Sequence, residues 1–99
     1  MAVKRVKENS IEAALIKRVK HLGGRAEKTI VLGCRGFVDR VVILPGGRII
    51  FVECKKPRGG KMSAHQSALH RAYKNLGAAV EIVSNLEDID RLLPLVGKN

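Results

Sequence analysis

Residues 48–66 read RIIFVECKKPRGGKMSAHQ. The run opens as a strand, with four β-branched or aromatic residues in a row, Ile49 to Val52. An acid, Glu53, then interrupts it, and a base, Lys55, follows two residues later. Side chains two apart on a strand share a face, so the two charges point the same way, with roughly 6–7 Å between their Cα atoms. Lys and Glu are almost never fully buried unless paired. Opposite charges at the end of an apolar strand therefore ask for a chemical reason.

The preceding segment supplies one. FVDRVVIL, residues 37–44, is also rich in β-branched residues, and Pro45-Gly46-Gly47 separates it from the first strand as a hairpin signal. A three-residue loop pairs Leu44 with Arg48 and sets Asp39 directly opposite Glu53. A four-residue loop puts Asp39 on the other face, because a one-residue slip inverts the pattern. The first register gathers Asp39, Glu53 and Lys55 into one patch. Two carboxylates that close repel unless a cation sits between them, and oxygen-only ligands suit a hard ion, Mg²⁺ or Mn²⁺. On this reading Asp39 and Glu53 hold the metal and the backbone carbonyl of Cys54 completes the coordination. Such an ion activates water and stabilises charge on a phosphate. Lys55 would orient the nucleophile or stabilise transition-state charge.

The rest of the chain builds an α/β frame around this hairpin. Ser10 is a fair N-cap, followed by Ile11, Leu15, Val19 and Leu22 at helical spacing and by Gly23-Gly24 as a stop. RAEKTIVLGC, residues 25–34, reads as a strand. KPRGGKM, residues 56–62, is a loop. Ser63 to Leu76 reads as a helix with Ala64, Ala68, Leu69, Ala72, Tyr73 and Leu76 on its apolar side, and Gly77 follows. AAVEIVS is a short strand and NLEDIDRLLPLV a last helix. The order αβββαβ plus a C-terminal helix predicts one domain over residues 1–99, a mixed sheet of about four strands flanked by helices.

Composition narrows the partner. The 99 residues carry a formal net charge of +10, with basic residues spread from end to end, which points to a polyanion. Aromatic residues make up only 3% and Trp is absent, so a base-stacking platform for single strands is missing and duplex or branched nucleic acid is favoured. The basic segments lack aromatic membrane anchors, no apolar run approaches spanning length, and no signal core is visible at the start. Cys34 and Cys54 form neither a disulfide framework nor a zinc motif, which suggests a reducing, cytoplasmic setting.

With these residues in place, GFVDRVVILPGGRIIFVECKKPRGGKMSAHQ, residues 36–66, resembles the PD-(D/E)XK nuclease superfamily and, within it, the virus-type replication-repair nuclease (VRR-NUC) domain. The family pattern falls on Glu12, on Gly36 with Asp39, on Glu53 with Lys55, and on Gln66. A lone E-x-K is common by chance, whereas this ordered set within one matching order of elements is specific. The resemblance implies a restriction-endonuclease-like core and a Mg²⁺- or Mn²⁺-dependent, structure-selective DNA endonuclease. It also implies kinship with small stand-alone phage proteins that act as homodimers on branched DNA, in the manner of Holliday-junction resolvases. The chain departs from the family at Val38, where Pro is frequent, and at Cys54, where an aliphatic is common. Neither change touches a group that carries the chemistry.

Several assignments have a plainer alternative. Glu12 could reach the metal through water, or could be a first-turn Glu favoured by the helix dipole. Gln66 could position Lys55 or the attacking water, or could close an S-x-x-Q capping box with Ser63. Lys56, Arg58 and Lys61 are candidates for DNA contact in a loop that could equally be a solvated one. His21, His65 and His70 read as surface or helix-face residues. Leu92, Leu93, Leu95 and Val96 either serve a dimer interface or cap the core. A rival for the whole chain is a non-catalytic basic nucleic-acid-binding protein with a degenerate nuclease fold.

Overall fold

The computed structural model describes residues 8–29, 38–55 and 62–95. Cys34, Gly36, Lys56, Arg58, Lys61 and Val96 lie outside the described residues. The elements run α1 (Glu8–His21), β1 (Arg25–Lys28), β2 (Arg40–Leu44), β3 (Arg48–Cys54), α2 (Ala64–Asn75), β4 (Val80–Val83) and α3 (Leu86–Leu92). This is the αβββαβα order read from the sequence. The helix α1 starts two residues before Ser10, so Ser10 lies in its first turn and is not the N-cap. The last helix stops at Leu92, because Pro94 disfavours helical geometry at Leu93, whose φ and ψ are −130° and 71°.

The four strands form one mixed sheet in the order β1-β2-β3-β4. The first three are antiparallel neighbours, and β4 returns parallel to β3 after the α2 crossover. Two glycines make the β2–β3 turn possible: Gly46 and Gly47 have φ of 88° and 79°, which side-chain-bearing residues rarely adopt. The Gly47 N–H donates to the Leu44 carbonyl at 3.1 Å, and Leu44 pairs with Arg48. Of the two registers open to the sequence, the chain takes the three-residue loop.

That register sorts the sheet into two faces. Val42, Leu44, Ile50, Val52, Cys54 and Val83 point to one side and pack with Ile11, Leu15 and Val19 of α1 and with Ile89 and Leu93. This is the core. Arg18 ties the layer together, donating to the Leu93 carbonyl and to Asp90, each at 2.7 Å. On the opposite face lie Phe51, Glu53 and Lys55. The helix α2 docks there through Tyr73, whose ring centroid is 6.1 Å from that of Phe51. Leu93 is therefore a core residue and Leu92 packs against the core, so neither is a free interface residue; Leu95 remains 54% exposed.

A close approach at Gly24 tests this packing. A Cβ there would sit 2.4 Å from the Ile43 carbonyl oxygen, against backbone that cannot swing away. Gly24→Ala should destabilise the fold by roughly 1–3 kcal/mol in urea denaturation, as overpacking does. Leu22→Ala, at a half-buried position beside the core, should leave a cavity instead and cost a similar amount.

Candidate active site

The site forms where β2 and β3 run out of ladder. The pairing of Arg40 with Val52 continues one step to set Asp39 opposite Glu53. Asp39 lies just before β2, and its Oδ2 accepts the Cys54 N–H at 2.8 Å. The carboxylate thus takes the place of a strand carbonyl and is fixed against β3. Its Oδ1 has no hydrogen-bond partner among the described residues. The Cys54 side chain is fully buried on the core face, so at this position the chain offers the site backbone only.

Glu53 is 2% exposed, an unusual burial for a carboxylate. Its Oε2 is held twice, by the Lys55 ammonium at 3.2 Å and by the Gln66 side-chain amide at 3.0 Å. Its Oε1 is buried and has no hydrogen-bond partner among the described residues. Burial, and after it the charge of Asp39, pushes the Glu53 carboxyl above its ordinary value of 4.5, and Lys55 and Gln66 pull it part of the way back.

Gln66 closes the arrangement. Its Oε1 accepts from the Ser63 N–H and from Lys55 Nζ, each at 3.2 Å, while its Nε2 donates to Glu53. The Ser63 Oγ in turn accepts the Gln66 N–H at 3.0 Å, completing the capping box of α2. The two alternatives for Gln66 are therefore not exclusive. One amide caps the helix, orients the lysine and steadies the acid.

Glu12 stands apart. Its Oε2 is 2.7 Å from Arg40 Nε and 3.7 Å from Lys28 Nζ. The Arg40 guanidinium also donates to the Ala26 carbonyl at 3.0 Å, so Glu12 and Arg40 tie α1 to β1 and β2. No contact joins Glu12 to Asp39 or Glu53. Among the described residues no group of three or more His, Cys, Asp or Glu side chains gathers to hold an ion. The site offers two carboxylates and backbone.

The donor set nevertheless fits a hard divalent cation. An orphaned buried oxygen on Glu53 and the open oxygen of Asp39 are the kind of ligand such an ion takes, and Mg²⁺ binds through one or two carboxylates while keeping several waters. A cation there would also offset the burial and, after it, the Asp39 repulsion that raise the Glu53 pKa.

One neighbour escaped the sequence reading. His70 is buried, at 4% exposure, and is not a surface residue. The available signal was spacing: it lies four residues beyond Gln66 and so shares its helix face.

With this geometry in view, the comparisons are decisive. A solved structure described as a VRR_NUC domain superposes with a TM-score of 0.85 at 33% identity, covering 94% of this chain and all of that one. The chain belongs to the VRR-NUC family. The "Putative nuclease p44" of Acyrthosiphon pisum secondary endosymbiont phage 1 is 44% identical over 91 residues, spanning 92% of this chain and 96% of that protein. No protein-family profile matches the chain. The VRR-NUC fold is a restriction-endonuclease-like α/β core, and the chain is a nuclease of that family. No helix among the described residues is long and apolar enough to cross a membrane.

Metal binding can be read without cutting. Saturating Mn²⁺ should raise the melting temperature of the wild type on the order of 10 °C at a hundredfold excess over Kd. Glu53→Gln should abolish this rise, yet melt no lower than wild type in EDTA at neutral pH. The sign follows from the raised Glu53 pKa. Folded Glu53 keeps its proton to higher pH than the unfolded chain does, so its contribution to stability is present below the unfolded pKa and is lost as pH rises through the folded one. Metal affinity runs the other way and should weaken as pH falls through that same folded value.

Proposed function

We propose that the protein is a metal-dependent endonuclease acting on DNA, with a preference for branched duplex. The observation that carries this reading is the buried, unpartnered Oε1 of Glu53 beside the fixed carboxylate of Asp39, with Lys55 bonded to the same acid. A protein that only binds DNA gains nothing from two acids at the end of a core strand in a chain of net charge +10. Resemblance to VRR-NUC members supports the same conclusion.

On this reading Asp39, Glu53 and the Cys54 carbonyl would hold Mg²⁺ or Mn²⁺, with Glu12 reaching the ion only through water. The bound ion would supply Lewis acidity and an acidified water for phosphodiester hydrolysis. Lys55, half-buried and held by Glu53 Oε2 and Gln66 Oε1, orients the attacking water or the charge that develops on the phosphate. Gln66 acts through both neighbours, holding the ammonium and the carboxylate at fixed separation. Lys56, Arg58 and Lys61 follow β3 in the chain and would carry the DNA backbone to the site. The described residues of each chain hold one such site. Resolving a four-way junction takes two symmetric cuts, so the reading includes a two-fold homodimer. Ile43 and Ile49 pair across the hairpin and are 38% and 52% exposed, which makes them better interface candidates than Leu92 and Leu93. Cys54 is buried and forms no disulfide among the described residues, in keeping with a reducing cytoplasm.

Incubation with labelled junction, flap, nicked and linear DNA in Mg²⁺, Mn²⁺ or EDTA tests the reading. Cleavage should require metal and favour the junction. Asp39→Ala, Glu53→Ala and Lys55→Ala should each lower it at least about 100-fold while binding persists. Wild-type cutting by any of the three removes that residue from the site.

Binding should weaken steeply with salt, and the Lys56, Arg58, Lys61 triple Ala variant should flatten the log K against log salt slope by about one for each phosphate it no longer neutralises. An unchanged slope takes the loop out of the interface. Light scattering at micromolar protein should report a dimer; a monomer that cuts junction and linear duplex alike would keep the metal-nuclease reading and end the resolvase one.

A further inference from the structure

Beyond the Asp39, Glu53 and Lys55 cluster, the fold buries another titratable side chain, His70, without a hydrogen-bond partner among the described residues. Neither Nδ1 nor Nε2 of His70 makes a hydrogen bond among the described residues. An imidazole carries at least one N–H in either tautomer, and a buried donor left unsatisfied costs free energy. Such a group in a native fold calls for an explanation. His70 follows Gln66 by four residues on α2, about 6 Å along the helix axis at 1.5 Å per residue. It therefore sits one turn away from the amide that holds Lys55 and Glu53.

The imidazole lines a cleft of about 390 Å³ between α2 and β4. Val80 and Ile82 contribute from the sheet, on the face that register assigns to Phe51 and Glu53. Ser67, Arg71 and Lys74 contribute from the helix. Arg71 and Lys74 are exposed, and neither has an ion pair among the described residues. Glu81 also reaches the rim, but it pairs with Val52 and so belongs to the other face of the sheet.

We propose that this cleft is a phosphate-binding subsite, which takes a backbone phosphate of the nucleic-acid strand adjacent to the phosphate being cut. The inference rests on the nuclease reading for its ligand. The chemistry is that of an acceptor-only anion: a hydroxyl, an imidazole, a guanidinium and an ammonium line the same cleft as possible donors, and charge-assisted bonds of this kind are the strong ones. Arg71 adds a planar fork suited to phosphate oxygens. Burial first, and then the charges of Lys74 and Lys55, holds the His70 pKa below its ordinary value against a smaller opposing effect of Asp39. The ring thus waits as a neutral donor, and an arriving phosphate supplies the anion that the lysines lack. A strand gripped here would be anchored one helix turn from the metal-binding acids, which fixes the scissile phosphate along α2.

The test uses the full, metal-free protein and reads the imidazole ring signals by ¹H–¹³C NMR, with His70 assigned by elimination from His21→Gln and His65→Gln, both at exposed positions. Three titrations are compared: inorganic phosphate, a thymidine dinucleotide whose single charge is an internal phosphodiester, and sodium chloride at matched ionic strength. His70 should shift saturably with both phosphate ligands and not with chloride. The Arg71→Ala, Lys74→Ala double variant, which alters only exposed positions, should bind the dinucleotide at least about tenfold more weakly. A response to inorganic phosphate without one to the dinucleotide would overturn the assignment to backbone phosphate. No response of His70 to either, an equal response to chloride, or unchanged affinity in the double variant would overturn the subsite altogether. Since neither metal nor cleavage enters the readout, a protein that fails to cut DNA leaves this result standing or falling by itself.

Discussion

The turn at Pro45–Gly47 is the constraint on which the site depends. With Gly46 and Gly47 both at positive φ, the loop closes in three residues and locks Leu44 against Arg48. Two consequences follow from one register. Val42, Ile50, Val52 and Cys54 all enter the core, and Asp39 comes to stand opposite Glu53. A slip of one residue in β2 would turn its core residues to the other face and carry Asp39 away from Glu53. Burial of each large apolar side chain is worth about 1.5–3 kcal/mol, so the apolar face of the hairpin can hold a register that places two carboxylates together against their repulsion. Packing on one face enforces electrostatic strain on the other.

That strain is contained by a small number of bonds. Glu53 Oε2 is satisfied by Lys55 and Gln66, and Asp39 Oδ2 by the Cys54 N–H, while one oxygen of each acid is left over among the described residues. Gln66 is the economical element. Because its amide also caps α2, the start of the helix and the position of the ammonium are set by the same group. A carboxylate at this position could not donate to Glu53 and would add a third negative charge, whereas an amide both donates and accepts. On the proposed reading the basic residues of the chain would draw in a polyanion, and this buried pair of acids would hold the ion that activates water against it.

Much of this was legible in the sequence because it depends on short-range pattern. The period-two alternation through RVVIL and RIIFVEC, the Pro-Gly-Gly turn and the E-x-K spacing define the hairpin and its charged end without any knowledge of tertiary contacts. What stayed open was whatever tertiary contact decides. The sequence allowed two registers, and only closure of the turn selected one. Arg40 follows Asp39 in the sequence, yet its guanidinium bonds Glu12 and the Ala26 carbonyl, because α1 crosses β1 and β2 at that point. His70 looked like one more helix-face histidine until α2 docked on the sheet and buried it. Leu92 and Leu93 looked surplus in number, yet Arg18 draws the end of α3 onto α1 and takes Leu93 into the core. Ser10 carries the composition of a cap, but the helix extends past it.

The central claim is that the open oxygens of Asp39 and Glu53 form a single cation site. Anomalous scattering from a crystal of the protein soaked in Mn²⁺ addresses it most directly. The account predicts one peak within about 2.0–2.4 Å of Asp39 Oδ1, Glu53 Oε1 and the Cys54 carbonyl oxygen, with Lys55 and Gln66 still bonded to Glu53 Oε2. A peak at Glu12, or none between Asp39 and Glu53 at saturating Mn²⁺, would contradict it.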